Sequence, residues 1–275
     1  MVLLVKILLI RVFYLKEIIY IIVSLFSTLA GSISGMGGGV IMKPIFDMLG
    51  EYSAFQIGVL TSFTVFAMSL VSVGISAKEF KFEKDKRKLI ICIAMGSLLG
   101  GYLGDTLFNL LVKAANDSAV KAAQNGVLLA FVVGVIIYMN TKRKSLNADN
   151  IFVGIGVGTA LGVFSAFLGI GGGPINVAVL ILFFGFEIKT AVICSLISVL
   201  VCQTAKLITI GCRFGIEAFN IKILAFVVFA GVIGAICGRM INKKLSDKAV
   251  NRVYTAIQFV VIIMCSINIF RSIIA

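Results

Sequence analysis

The sequence predicts an all-α integral membrane protein made of two inverted structural repeats, each with a glycine-broken helical hairpin and three transmembrane helices. Composition, a repeated glycine cluster and the distribution of basic residues lead to this prediction. Of the 275 residues, 60% are hydrophobic and 13% are charged, and the mean hydropathy is +1.12. These values lie well outside the range of soluble proteins, so the chain belongs in a membrane.

A glycine cluster occurs twice in the chain. Residues 35–39 (GMGGG) return as residues 169–173 (GIGGG), at an offset of 134 residues. The offset also aligns Ile41 with Ile175, Thr61 with Ser195, Thr64 with Ser198, Phe80 with Phe214, Glu83 with Glu217 and Gly100 with Gly234. Three successive glycines weaken a helix, and glycine-interrupted segments at matching places in two halves of a membrane chain indicate a transport site.

Eight apolar runs are mostly long enough to cross the hydrocarbon core, which needs roughly 20 residues. They are expected to be helices because an open strand edge is not tolerated in lipid. The runs lie at about 18–34, 53–76, 88–111, 122–140, 151–168, 188–210, 221–242 and 253–273. Two shorter apolar pieces, 40–49 and 174–186, directly follow the glycine clusters and are interpreted as half-helices that complete broken hairpins. Whether these hairpins are re-entrant or fully spanning stays open.

The net charge of +13 is concentrated in short connections, which argues against a nucleic-acid partner. Three connections are rich in basic residues: Lys78, Lys81, Lys84, Lys86, Arg87 and Lys88; Lys142, Arg143 and Lys144; and Lys243, Lys244, Lys248 and Arg252. If each long run from residue 53 crosses once, all three lie on one side, which the positive-inside rule assigns to the cytoplasm. The loop 78–88 and its repeat partner 212–222 then lie on opposite faces. The halves are therefore predicted to be inverted, which is the arrangement expected for alternating access.

These patterns divide the chain into four segments. Residues 1–17 have no counterpart in the second half and are expected to form an extra interfacial or spanning helix rather than a signal peptide. Residues 18–140 form the first membrane repeat and residues 151–275 the second. Residues 141–150 are the cytoplasmic linker between them.

The glycine clusters suit the binding of a small anion. A helix that begins inside the membrane leaves its first N–H groups unpaired and carries the positive end of its dipole, and glycine lets a ligand approach that backbone closely. The alternative is that the glycines only allow helices to pack closely, as small residues often do in membranes.

The two halves resemble the sulfite exporter TauE/SafE family of membrane transporters. The resemblance rests on each glycine cluster, the short apolar segment after it, and a following helix with small hydroxyl residues: Thr61, Ser62 and Thr64 in the first half, and Ser195 and Ser198 in the second. Pro44 supplies the proline that this family usually has past the first cluster, whereas Pro174 follows the second cluster directly. The resemblance implies export of sulfite, organosulfonates or related sulfur-containing anions.

Polar residues in the apolar runs are the remaining candidates for the binding site. Each of these residues also has a structural alternative to anion binding. Asn176 is equally expected to cap a half-helix, small hydroxyl residues often bond their own backbone, and Lys206 is near enough to a helix end to snorkel. The candidate substrate-binding residues are Gly35, Gly37, Gly38, Gly39, Thr61, Thr64, Gly169, Gly171, Gly172, Gly173, Asn176, Ser195, Ser198, Gln203 and Lys206.

Four further charged positions are expected to be structural. Lys43 and Asp47, one helical turn apart, suit a neutralising pair. Asp105 and Arg239 occupy equivalent repeat positions near helix ends and are expected to be anchors or loop contacts.

The function predicted from these features is a secondary transporter that exports a small anion by alternating access. The alternatives are an anion channel and a transporter of another small organic acid. The chain has no histidine and no nucleotide-binding motif, so we expect no catalytic residue, no metal site and no cofactor. The expected partners are the anionic substrate and the lipid bilayer of the cell membrane, without nucleic acid, and a homodimer stays open.

Overall fold

The computed structural model describes residues 2–77, 84–141, 145–148, 150–214 and 221–274. The predicted all-α fold is confirmed, since these residues form ten helices and no strand. The helices are α1 (Val2–Ser34), α2 (Gly39–Leu49), α3 (Ala54–Ala77), α4 (Lys84–Ala114), α5 (Asp117–Asn140), α6 (Ile151–Leu168), α7 (Pro174–Phe184), α8 (Ile188–Phe214), α9 (Ile221–Lys244) and α10 (Asp247–Ile274).

Eight of these helices are long and apolar enough to cross a membrane, and the chain is a multi-pass membrane protein. They are the eight helices other than α2 and α7, which have 11 residues each. An 11-residue helix is about 16 Å long, too short to cross the hydrocarbon core. Both short helices end at a glycine in the left-handed conformation, Gly50 and Gly185, which is a common way to end a helix.

The first seventeen residues do not form a helix of their own. α1 is continuous from Val2 to Ser34, so this segment extends the first spanning helix. Residues 2–17 are helical, as the predicted extra interfacial or spanning helix would be, and they continue directly into the first spanning segment. Segments 78–83 and 142–144 lie outside the described residues, and so do the basic residues that they carry: Lys78, Lys81, Lys142, Arg143 and Lys144. Glu217 also lies outside the described residues.

The helices of the two sequence halves pack crosswise. α1 packs mainly on α9, and α4 packs mainly on α6, so each half supplies a helix to the other. The repeat offset converts one contact into the other, since α1 corresponds to α6 and α9 to α4. α3 and α8, which also correspond to each other, pack together at the centre.

Glycines form the contact between α4 and α6. A Cβ placed on Gly100 would contact the carbonyl oxygen of Thr159, and it would lie 2.8 Å from the nitrogen of Val163 and 2.9 Å from the Cα of Gly162. Neighbouring glycines along the same contact are equally crowded: Gly96, Gly104 and Gly158. Side chains at these positions would force the two backbones apart. Close packing matters here because lipid offers no hydrophobic drive to hold the helices together.

The first broken hairpin consists of α1 and α2, and the second consists of α6 and α7. The unconnected ends of the two hairpins lie at opposite ends of α5. At its start, the Asp117 carboxylate accepts a 2.6 Å hydrogen bond from Ala54 N–H, beside the end of the first hairpin. After its end, Leu146 N–H and Ala148 N–H donate to the carbonyls of Leu182 and Phe183, both at 2.8 Å, at the end of the second hairpin. α5 has 24 residues and is therefore about 36 Å long.

Alanine at Gly100 should destabilise the protein, whereas alanine at Gly134 should not. The added methyl at Gly100 overpacks the α4–α6 contact, and we expect a loss of about 1–3 kcal/mol in the free energy of unfolding. No atom lies within 4 Å of the Cβ position of Gly134, so alanine there only improves helix propensity, by up to about 1 kcal/mol. Thermal unfolding in detergent compares the two variants. Equal losses of stability would contradict the crowding at Gly100.

Candidate functional site

The tips of the two hairpins meet at the centre of the molecule. A Cβ on Gly37 would lie 2.5 Å from the carbonyl oxygen of Gly171, and a Cβ on Gly39 would contact the carbonyl oxygen of Ile170. A Cβ on Gly172 would lie 3.3 Å from the Met36 carbonyl oxygen. We call this contact between residues 35–39 and 169–173 the tip junction.

Two reciprocal hydrogen bonds hold the tip junction to the long helices behind it. Thr61 Oγ1 of α3 contacts the Gly169 carbonyl at 2.7 Å, the shortest of its three carbonyl contacts. Ser195 Oγ of α8 donates to the Gly35 carbonyl, also at 2.7 Å. The repeat offset relates the two bonds, because Thr61 corresponds to Ser195 and Gly35 to Gly169. Each half therefore holds the broken tip of the other.

Backbone conformation explains most of the glycines at the tip junction. Five of them have positive φ: Gly35 (75°), Gly37 (76°), Gly169 (65°), Gly171 (63°) and Gly172 (108°). Residues with a Cβ rarely adopt this region. Packing adds a second reason, since a Cβ on Gly38 would lie 2.8 Å from the Cγ2 of Thr28.

The tip junction is closed in this conformation. A cavity of about 10 Å³ lies at the start of α7, among residues that include Ser165, Gly173 and Asn176. This volume is sufficient for about one water molecule, so an anion of several atoms does not fit in this cavity. Asn176 is buried there, with its N–H on the Gly173 carbonyl at 3.1 Å in the first turn of α7.

Gln203 directs a buried amide at the second tip. Its side chain is fully buried in α8, and neither its Oε1 nor its Nε2 has a hydrogen-bond partner among the described residues. The Cβ position of Gly171 falls against Nε2. An unpaired buried amide is costly, so this donor and acceptor are available to a ligand beside the tip.

Two buried lysines approach the second tip from one side. The Cβ position of Gly169 lies 3.7 Å from Lys206 Nζ and 3.8 Å from Lys43 Cδ. Lys206 donates to the Ala166 carbonyl at 3.2 Å and lies 5.5 Å from the centroid of the Phe108 ring. Its side chain is 1% exposed, so Lys206 does not snorkel to the membrane surface.

Lys43 and Asp47 form the predicted pair, with Nζ and Oδ2 3.2 Å apart and both side chains buried. The carboxylate also accepts a 3.0 Å hydrogen bond from Asn125 of α5. Asn268 of α10 donates to Asn125 Oδ1 at 3.2 Å. The pair is therefore part of a polar network that joins α2, α5 and α10.

Asp105 and Arg239 are not surface anchors. They are 2% and 1% exposed, respectively. Asp105 accepts a 2.9 Å hydrogen bond from Asn109, and Arg239 donates to Asn242 at 2.7 Å. The expectation was wrong because α4 continues to Ala114 and α9 to Lys244, which places both residues inside the helices and under their neighbours.

The structure brings most of the predicted site residues together, but it places Thr64 elsewhere. The hydroxyl of Thr64 donates to the Leu60 carbonyl at 2.8 Å, and its methyl group faces Gly231 of α9. Ser198 is buried one turn after Ser195. Those at or beside the tip junction are Gly35, Gly37, Gly38, Gly39, Thr61, Gly169, Gly171, Gly172, Gly173, Asn176, Ser195, Gln203 and Lys206.

The residues of the polar network around Asp47 were not among the predicted site residues. A usable signal was present, because none of its members has a polar counterpart in the other repeat. Lys43, Asp47, Asn125 and Asn268 correspond to Val177, Ile181, Phe259 and Gly134.

Comparison with known proteins identifies the family of this chain. The family model of the sulfite exporter TauE/SafE matches residues 20–265. A "probable membrane transporter protein" of Methanocaldococcus jannaschii is 28% identical over 243 residues, which cover 83% of this chain and 87% of that protein. No solved structure matches the chain. With eight spanning helices and a family match over nearly its whole length, the chain is a membrane transporter of the sulfite exporter TauE/SafE family.

Proposed function

We propose that this transporter exports a small anion, namely sulfite, an organosulfonate or a related sulfur-containing anion, by alternating access. The observation that carries the proposal is the tip junction. Two broken hairpins, which open at opposite ends of α5, close against each other at the centre. Such a contact separates the two sides of the membrane, and opening it toward one hairpin at a time gives alternating access.

The hairpin ends at opposite ends of α5 support an inverted relation between the repeats, and the crosswise contacts support a two-fold relation between them. The hairpin tips exchange equivalent hydrogen bonds, and the α1–α9 and α4–α6 contacts exchange under the same offset. We infer that residues 18–140 and 151–275 are inverted repeats joined by the linker 141–150. One half then rocks against the other around a site near the midplane.

The buried cations and amides support an anionic substrate. Lys206 and Lys43 approach Gly169, while Gln203 lies against Gly171. Charged side chains inside a membrane are costly and usually functional, and the first amides of α2 and α7 add the positive ends of two helix dipoles. The substrate is proposed to bind among these groups when the tips separate.

Export of an anion needs no second energy source. The membrane potential, negative inside, favours exit by about 2.3 kcal/mol per charge per 100 mV. The transporter therefore has only to keep the two sides of the membrane separated and to change the side from which the site is reached. The tip junction suits both tasks. This favours a transporter over a channel, because a channel would need a continuous open path.

Methionine at Lys206 should weaken sulfite binding on the order of tenfold or more, because it removes a buried cation beside the second tip. Methionine has a similar shape, but the change leaves the buried Asp105 without the charge that interacts with it, so thermal unfolding of the variant is measured first to establish that it is folded. Isothermal titration with sulfite on the purified protein measures the change. The control is Lys189→Met in the first turn of α8. Unchanged affinity in a folded Lys206→Met protein would remove Lys206 from the site.

Cysteine labelling in intact cells tests the inverted topology. In a background without the six native cysteines, a cysteine at Asn147 should be shielded from an impermeant reagent, because the basic loops assign the end of α5 to the cytoplasm. A cysteine at Ser118, at the start of α5, should react, as should one at Glu217. Labelling at Asn147 with protection at Ser118 would show that the protein has the opposite orientation in the membrane. Equal labelling at Ser118 and Asn147 would contradict the inverted arrangement.

A further inference from the structure

A cavity of about 300 Å³ lies at the open end of the first hairpin. Its lining includes Asp47 and Asn268 at the inner side, and Asp117, Lys121 and Arg271 nearer the surface. Arg271 uses one N–H on the Met48 carbonyl at 2.8 Å, and a guanidinium has further N–H groups for an anion.

The Lys43–Asp47 pair separates this cavity from the tip junction. Asp47 lines the cavity, yet its side chain is only 2% exposed and is held by Lys43. On the inner side of the pair, the Lys43 side chain reaches the Gly169 position that Lys206 also approaches. The order from the cavity inward is therefore Asp47, Lys43, Gly169 and Lys206.

The second repeat builds the equivalent turn without this charge pair. The matching positions in the second repeat are Val177 and Ile181, which occupy the equivalent turn of α7 without charges. Buried ion pairs are commonly replaceable by apolar residues without loss of stability. A charge pair that occurs in one repeat only, between a cavity and the tip junction, therefore indicates a role in function.

We propose that Lys43 binds the substrate anion on its way between the cavity and the tip junction, and that the Asp47 carboxylate occupies Lys43 until the anion displaces it. The proposal rests on the proposed function, because it needs an anionic substrate. Asp47 acts as a tethered anion that keeps the buried lysine neutralised while the site is empty. The Nδ2 of Asn125 donates to Asp47 at 3.0 Å and stabilises the carboxylate once Lys43 is released.

Asparagine at Asp47 removes the competing charge with little change in shape. We expect the Asp47→Asn protein to bind sulfite on the order of tenfold more tightly than the wild type, because the anion no longer displaces a carboxylate from the lysine. Its thermal unfolding temperature should be lower without sulfite and should rise more on adding it. The gain in affinity and the larger rise in unfolding temperature on adding sulfite should both disappear in the double variant Lys43→Met with Asp47→Asn. The matched control is Glu187→Gln, an exposed carboxylate before α8.

The outcomes distinguish this proposal from the proposed function. Wild-type affinity in Asp47→Asn, or tight binding that persists in the double variant, would overturn the role of the pair while the anion transporter stands. If neither the wild type nor Asp47→Asn binds sulfite, thiosulfate or sulfoacetate, the anionic substrate itself is wrong and this proposal fails with it. If sulfite binds more tightly to Asp47→Asn but not to the double variant, the result supports both the role of the pair and the anionic substrate.

Discussion

A broken helix inside a membrane exposes backbone polar groups that lipid cannot satisfy, and the rest of this structure depends on how each half satisfies the break in the other. Thr61 and Ser195 bond the carbonyls of Gly169 and Gly35 across the halves. This exchange requires the tips to touch, the touching requires glycine, and crosswise helix packing brings the tips together. One constraint on hydrogen bonding thus links the glycine clusters, the hydroxyl residues and the topology.

The backbone of the tip junction follows the repeat, whereas its charges do not. The two hydroxyl bonds are equivalent, but Lys43 and Lys206 both approach the second tip, and their repeat partners are Val177 and Ser72. Under the proposed alternating access, the symmetric backbone would let either hairpin open by similar movements. The asymmetric charges would bind the proposed anion to one side of the centre, beside the second tip.

Element bounds were largely predictable, because hydropathy and glycine alone set them. The half-helices predicted at 40–49 and 174–186 are Gly39–Leu49 and Pro174–Phe184. The Lys43–Asp47 pair also followed from helical spacing.

The burial of Asp105 and the crosswise packing were not predictable in the same way. In a membrane chain both the lipid-facing and the protein-facing surfaces are apolar, so the sequence pattern does not tell which neighbour covers a residue. The crowding of Gly100 by Thr159 depends on such a neighbour and appears only in the folded chain.

The most direct test of the central claim is anion flux with the tips locked together. In a chain without native cysteines, Val40→Cys and Gly173→Cys suit a disulfide, since Val40 Cγ2 lies 3.8 Å from the Cβ position of Gly173. The φ of Gly173 is 168°, an extended conformation that cysteine also adopts. Sulfite flux into proteoliposomes should stop when the pair is oxidised and return on reduction, while oxidation should leave the flux of each single variant unchanged. Full flux through the oxidised protein would show that substrate passes without separation of the tips.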